Sequence, residues 1–147
     1  MAGVQSLMIP TGVATLVVPS ATVAEVIAGS PGLKPLPGVE PWVLGYFRWR
    51  NYPVTLVSFE RLAAGRDISS FYRLCVFFPL PGREAFDYFA LGLTGEPRGL
   101  EITDSAGPGA LPAGLSRRFA AGAITMDDRT LVIPDFDALK AAFYPDR

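Results

Sequence analysis

The chain of 147 residues contains no histidine. That removes the side chain most often used as general base, as activator of a nucleophile and as metal ligand. It contains one cysteine, Cys75, set inside the apolar run Leu74 to Phe78. A lone cysteine forms no disulfide within the chain, and a thiol among such neighbours reads as a small buried hydrophobe rather than a nucleophile. A reducing compartment follows, and the cytoplasm is the expected location. Charge is scarce, at 18% of residues. Five basic residues face four acidic ones over residues 1–70, and eight face ten over residues 71–147. Neither half has the cationic excess with which proteins neutralise phosphate backbones, so nucleic acid is not an expected partner. No apolar run reaches the ~18–20 residues that cross a bilayer. The opening MAGVQSLMIP lacks a positive charge ahead of an apolar core, so it does not read as a secretory signal. Membrane insertion is therefore not expected either.

What the chain does have is apolar surface and punctuation. Half of its residues are hydrophobic, enough for a packed core, and its length suits one compact unit or two very small ones. Fifteen glycines and fourteen prolines divide it into short elements. Leu7–Ile9 and Thr15–Val18 flank Pro10-Thr11-Gly12, the pattern of a hairpin. Residues 20–27 read as a short helix capped by Ser20 or Thr22 and closed by Gly29 and Pro31, with Thr22 and Glu25 spaced as a capping box. After a proline-rich passage, Trp42 to Phe47 and Val54 to Val57 form two strand-length runs about Arg50-Asn51. Asn51 suits a left-handed turn position, and Ser58 is an N-cap for a helix from Phe59.

In the second half, Leu74–Phe78 and Phe86–Leu93 are apolar at nearly every position and read as strands covered on both faces, joined through Pro79-Leu80-Pro81-Gly82-Arg83. Pro97–Thr103 holds a further strand. Ser105 to Gly114 is a loop of small residues, without the lysine and helix start of a phosphate loop. Phe119–Met126 and Thr130–Ile133 form a last hairpin about Asp127-Asp128, and Asp135 caps a helix to Phe143. Thr15-Leu-Val-Val-Pro, Thr55-Leu-Val-Ser and Thr130-Leu-Val-Ile-Pro echo one another, each before an expected short helix. That recurrence suggests a small barrel unit built twice.

Catalytic candidates are thin. Asp135 and Asp137 fit helix capping better than a cation site, and Asp127-Asp128 fits a hairpin tip. Glu84, Asp87, Glu101 and Asp104 show no spacing that singles out an acid–base pair. No catalytic residue, cofactor or metal site is expected. The unusual composition is Tyr46-Phe47-Arg48-Trp49-Arg50, rich in the residues that anchor protein interfaces. Alternation places Tyr46, Arg48 and Arg50 on one face and Phe47 and Trp49 on the other, a buried side and an exposed side.

The stretch Leu36 to Leu62 resembles the CheW-like family of bacterial chemosensory adaptor domains. The family pattern is W-x-x-G, then N-L-R-G, then P-V-[IV]-D-L and a helix; Trp42, Gly45, Arg50, Leu56, Val57 and Phe59 match it. Arg48 stands for its Asn, Asn51 for its Gly, Thr55 for its Pro and Ser58 for its Asp. Residues 122–139 resemble the family's closing strand pair and helix. The resemblance implies a mainly β fold: two small SH3-like five-stranded β-barrels side by side, with short helices and a shared apolar seam. It implies a single CheW-like domain over 1–147, its subdomains at about 12–67 and about 68–135 plus the C-terminal helix.

It further implies a non-catalytic adaptor. Its partners would be the regulatory domain of a CheA-type histidine kinase and the cytoplasmic tip of a chemoreceptor. With the pattern altered at Arg48 and Thr55, the chain resembles the divergent adaptors of pilus and twitching-type systems more than the flagellar ones. Carried over by position, Val23, Glu25 and Val26 match the family's V-x-E-[VI] segment, and Arg50 matches the arginine of N-L-R-G. With Tyr46, Arg48 and Asn51 they make up the expected partner-binding set. Two other classes stay open: a small-molecule-binding barrel or enzyme, and a structural oligomerising barrel.

Overall fold

The computed structural model describes residues 3–28, 32–38, 40–67, 71–80, 82 and 87–143. In chain order its elements are β1 (Val4–Pro10), β2 (Thr15–Pro19), a 3-10 turn (Ser20–Thr22), β3 (Val23–Ala28), β4 (Val43–Trp49), β5 (Tyr52–Val57), α1 (Phe59–Ala64), β6 (Arg73–Phe77), β7 (Phe89–Leu93), β8 (Arg98–Ile102), β9 (Gly107–Pro108), β10 (Ala120–Met126), β11 (Arg129–Pro134) and α2 (Phe136–Phe143). The fold is mainly β. Strands assemble into a six-stranded sheet, β8-β1-β2-β11-β10-β9, and a five-stranded sheet, β3-β6-β7-β5-β4.

The two sheets do not take the chain in halves. The middle of the chain, β3 to β7, forms the five-stranded sheet, while β1 and β2 join the last four strands in the other. The expected boundary near residue 67 thus falls inside the five-stranded sheet, between β5 and β6. One sheet also has six strands where five were expected, because the small-residue loop 105–114 contributes the two-residue β9 against β10.

A repeated unit explains much of this architecture. Hairpin β4–β5 turns at Arg50 and Asn51, and hairpin β10–β11 at Asp127 and Asp128; all four have positive φ, from 47° to 66°. Such two-residue turns match the right-handed twist of paired strands. Each hairpin has a register shift near its start, at Val43/Gly45 and at Ala120/Gly122. Each second strand then leads into a capped helix. The Ser58 hydroxyl accepts the Arg61 N–H at 3.2 Å, and the Asp135 carboxylate accepts the Ala138 N–H at 3.1 Å. Even the backbone bonds correspond: Ser58 N–H donates to Trp42 O, and Asp135 N–H to Phe119 O. Each second strand also gains a parallel neighbour, β7 for β5 and β2 for β11.

The first echo of the motif behaves differently. Thr15-Leu-Val-Val-Pro forms β2, but only the 3-10 turn follows it, and the helix expected over 20–27 is corrected to strand β3. Val23, Val26 and Ile27 are β-branched, and β3 pairs antiparallel with β6 along its length. The capping box is absent, since the Thr22 hydroxyl donates to Pro19 O at 2.7 Å and Glu25 points to another strand. Gly29 and Pro31, the expected stop signals, lie outside the described residues, as do Glu84, Phe86 and part of the 79–83 connection.

Strand alternation sorts the core into three clusters. Phe47, Trp49, Val54, Leu56, Leu74, Val76 and Ala90 fill the inner face of the five-stranded sheet. Met8, Val17 and Leu131 fill that of the six-stranded sheet. The alternate residues Ile9, Leu16, Val18, Cys75, Phe77, Phe89, Leu91 and Val132 meet between the sheets in the largest cluster, together with Phe59 of α1 and Leu139 of α2. Strands β6 and β7 are therefore covered on both faces, which is why their sequences show no polar alternation.

Cys75 sits in that seam, and burial pushes its thiol from 9.0 up to about 12. The thiolate is the reactive form. At pH 8 the folded protein is expected to leave a disulfide reagent such as dithionitrobenzoate unreduced, and to react stoichiometrically once unfolded in guanidinium. Rapid reaction of the native protein would contradict the placement.

Candidate functional site

Gly45 shows how the hairpin β4–β5 is set. Its φ is +146°, and a Cβ there would run into the carbonyl oxygen of Lys34. Lys34 passes close enough to exchange two backbone hydrogen bonds with Tyr46, at 2.7 and 2.9 Å. Glycine is the residue that permits such an approach. Beyond it β4 alternates cleanly: Gly45, Phe47 and Trp49 are buried, Tyr46 is half-buried, and Arg48 is exposed.

At the hairpin tip this sheet meets its own far edge. β3 and β4 are its two outermost strands. Yet the carboxylate of Glu25 on β3 accepts the Trp49 indole N–H at 3.2 Å and a bond from the Arg50 guanidinium at 2.8 Å. The sheet has curled until its edges touch through side chains, the geometry of a barrel. Arg50 also lies over the Trp49 ring, 4.7 Å from its centroid. These contacts are partly in water, with the ion-pair side chains 65% and 37% exposed. Each contributes only about 0.5–1 kcal/mol to folding.

An aromatic cluster continues from this tip. Tyr88 packs against Trp49 at 4.9 Å, against Tyr52 at 5.2 Å and against Phe78 at 6.1 Å between ring centroids. Tyr52 and Phe78 keep 40% and 46% of their surface in solvent. The result is a contiguous patch in which Phe78, Tyr52 and Arg50 are exposed around the half-buried Tyr88 and the buried Trp49, with a carboxylate at its border. Large aromatics and arginine in one exposed patch are the composition of an interface hot spot.

Of the seven residues expected to bind a partner, the structure joins Glu25 and Arg50 directly and seats Asn51 in the adjoining turn. Tyr46 and Arg48 lie on the other face of β4. Val23 and Val26 are half-buried and pack on the seam between the sheets, opposite Phe77 and Cys75 of β6. The patch adds Tyr52, Phe78 and Tyr88, which the sequence reading did not single out. Tyr52 directly follows the turn and pairs with Trp49, a signal available in the sequence. Phe78 was hidden in a uniformly apolar run, in which Phe77 faces in and Phe78 faces out.

Among the described residues, no group of three or more His, Cys, Asp or Glu is placed to hold a metal ion. No helix among the described residues is long and apolar enough to cross a membrane.

Residues 5–76 match the family model of the CheW-like domain. No curated protein matches the chain by sequence. Among the solved structures, the scaffolding protein TtCheW from Thermoanaerobacter tengcongensis matches with a TM-score of 0.75 over 99% of this chain and 100% of that one, at 13% identity. At that identity the likeness is one of fold, and it extends over the second half of the chain.

Proposed function

Taking as premise that the chain carries a CheW-like domain over residues 5–76 and the CheW fold over its length, we propose that it is a non-catalytic coupling protein of a bacterial chemosensory array, acting in the cytoplasm. It links a CheA-type histidine kinase, through that kinase's regulatory domain, to the helical tip of a chemoreceptor. The observation that carries this reading is the exposed aromatic–arginine patch on the five-stranded barrel, four of whose members, with Glu25 beside them, fall in or near the family-matched segment. Signal passes by differential contacts: receptor state favours one arrangement of the bound kinase over another, with no bond made or broken.

The same geometry bears on the rival of a ligand-binding barrel. A ligand pocket wants an apolar cavity with convergent polar groups. The interior of the five-stranded unit is instead filled by Phe47, Trp49, Leu56 and Val76. Contact surface is what this unit offers.

The test uses the purified chain and the kinase regulatory domain from the same genome. Arg50→Glu is expected to weaken the complex by about 2 kcal/mol, a hot-spot magnitude, with the melting temperature near wild type because its own contacts are largely solvated. Val23→Asp is a poorer probe, since Val23 packs on the seam and its loss reports on folding. Wild-type affinity in both Arg50→Glu and Tyr52→Ala would reject the patch as the docking surface.

A further inference from the structure

The six-stranded sheet has a recess of its own, of about 250 Å³, at the end where β1, β2, β8 and β11 converge. Its floor is apolar, built by the buried Met8 and Leu131. Its rim is polar, with Arg98, Arg129, Thr15 and Thr130 around the opening. The register explains the convergence of the two arginines. Arg98 is the cross-strand partner of Met8, and Arg129 leaves the Asp127-Asp128 turn to reach the Met8 thioether sulfur at 3.6 Å.

Neither guanidinium has an anionic partner among the described residues. Arg98 makes no side-chain hydrogen bond or ion pair there, and the acceptor of Arg129 is a thioether, a weak one. The one acid on the rim, Glu96, is drawn to Arg73 at 3.4 Å. Two planar, permanently charged forks therefore line the opening with most of their donors unspent, and carboxylate is the ion they match bidentately.

We infer that this recess receives a carboxylate borne on an acidic side chain of a partner protein, at a surface separate from the aromatic patch. Its volume sits below the roughly 300–1,000 Å³ of pockets that bury small-molecule ligands. It has room for a glutamate side chain, with methylenes on Met8 and Leu131 and the carboxylate toward Arg98 and Arg129. A partner's chain supplies the remaining contacts that so small a group lacks.

The test observes the arginine Nε–Hε resonances by NMR at low salt. Three probes are added in turn: a capped tetrapeptide with one central glutamate, its glutamine counterpart, and free glutarate. The glutamate peptide is expected to shift Arg98 and Arg129 saturably, and R98Q or R129Q to weaken it by about tenfold. Both arginines are exposed, so these variants are expected to melt with the wild type. The inference is overturned by no shift, by equal shifts with the glutamine peptide, or by shifts that survive in the R98Q/R129Q double variant. Glutarate binding as tightly as the peptide would overturn the protein-borne source.

Discussion

Phe77→Ala is expected to lower the unfolding free energy by about 3–5 kcal/mol, the range for truncating a buried phenylalanine. Phe77 is 1% exposed and lies on β6, which has neighbours on both sides in its sheet. Its ring stacks on Phe89 with centroids 5.0 Å apart and planes 6° from parallel, and meets Phe136 of α2 at 6.1 Å. Truncation removes both ring contacts and opens a hole where the sheet and the C-terminal helix share the seam. Two separately rigid walls collapse poorly into such a hole, which places the cost high in its range. Urea unfolding followed by circular dichroism measures it. Phe78→Ala is the control: same residue type, next position, 46% exposed. It is expected within about 1 kcal/mol of wild type, the usual size for an exposed site. Equal losses from the two would mean that the division of this strand into inner and outer faces is wrong.

How legible the architecture was depended on how far each signal was local. Both two-residue hairpins, the Ser58 and Asp135 caps and the helices they begin were readable, because turn and cap chemistry is decided within four residues. Asn51 was expected at positive φ and has 66°; Arg50 beside it has 47° and was not expected, as arginine carries no turn preference. The segment 20–27 was misread because a Thr-x-x-Glu spacing is equally compatible with a strand. What decides for strand is β6, some fifty residues away in sequence, which offers β3 a partner. The same reason hid the division into sheets. The pairing of Val132 with Leu16 joins the ends of the chain, and nothing in either segment announces it.

The candidate site was half legible for a similar reason. Alternation along β4 correctly separated Phe47 and Trp49 from Tyr46 and Arg48, but it grouped Arg50 with those two, whereas the left-handed turn carries Arg50 over the Trp49 ring. The meeting of Glu25 with Arg50 needs the curl of a whole sheet, and the sequence contained each residue without their proximity. Tyr88 and Phe78 join the patch through that same curl. The fold likeness accounts for these as a set: a barrel brings its first and last edges together, so residues far apart in sequence become one surface.

Glu60→Ala is expected to cost about 3 kcal/mol, through a contact that no sequence pattern marked. Glu60 stands in the first turn of α1, where an acidic residue is ordinarily a solvated complement to the helix dipole. Here it is 0% exposed. Its carboxyl accepts the Gly12 N–H at 2.8 Å and the Ser58 hydroxyl at 3.4 Å. Gly12 belongs to the turn between β1 and β2, in the six-stranded sheet, whereas α1 follows β5 of the other. The side chain thus ties the two units together across the seam, next to the helix cap it also supports. Alanine removes two hydrogen-bond acceptors and leaves a cavity at a closed site, and each loss is of order 1–2 kcal/mol. Glutamine is nearly the same size and keeps one acceptor, which can stay on Gly12 while Ser58 rotates to accept from the amide. Its expected cost is about 1 kcal/mol. Amide exchange separates this role from plain destabilisation: in Glu60→Ala the Gly12 and Val13 amides should exchange faster than the global loss requires, while those of β6 follow the global value. A Glu60→Ala protein as stable as wild type, with an unchanged Gly12 amide, would show that the seam is held by its apolar side chains alone.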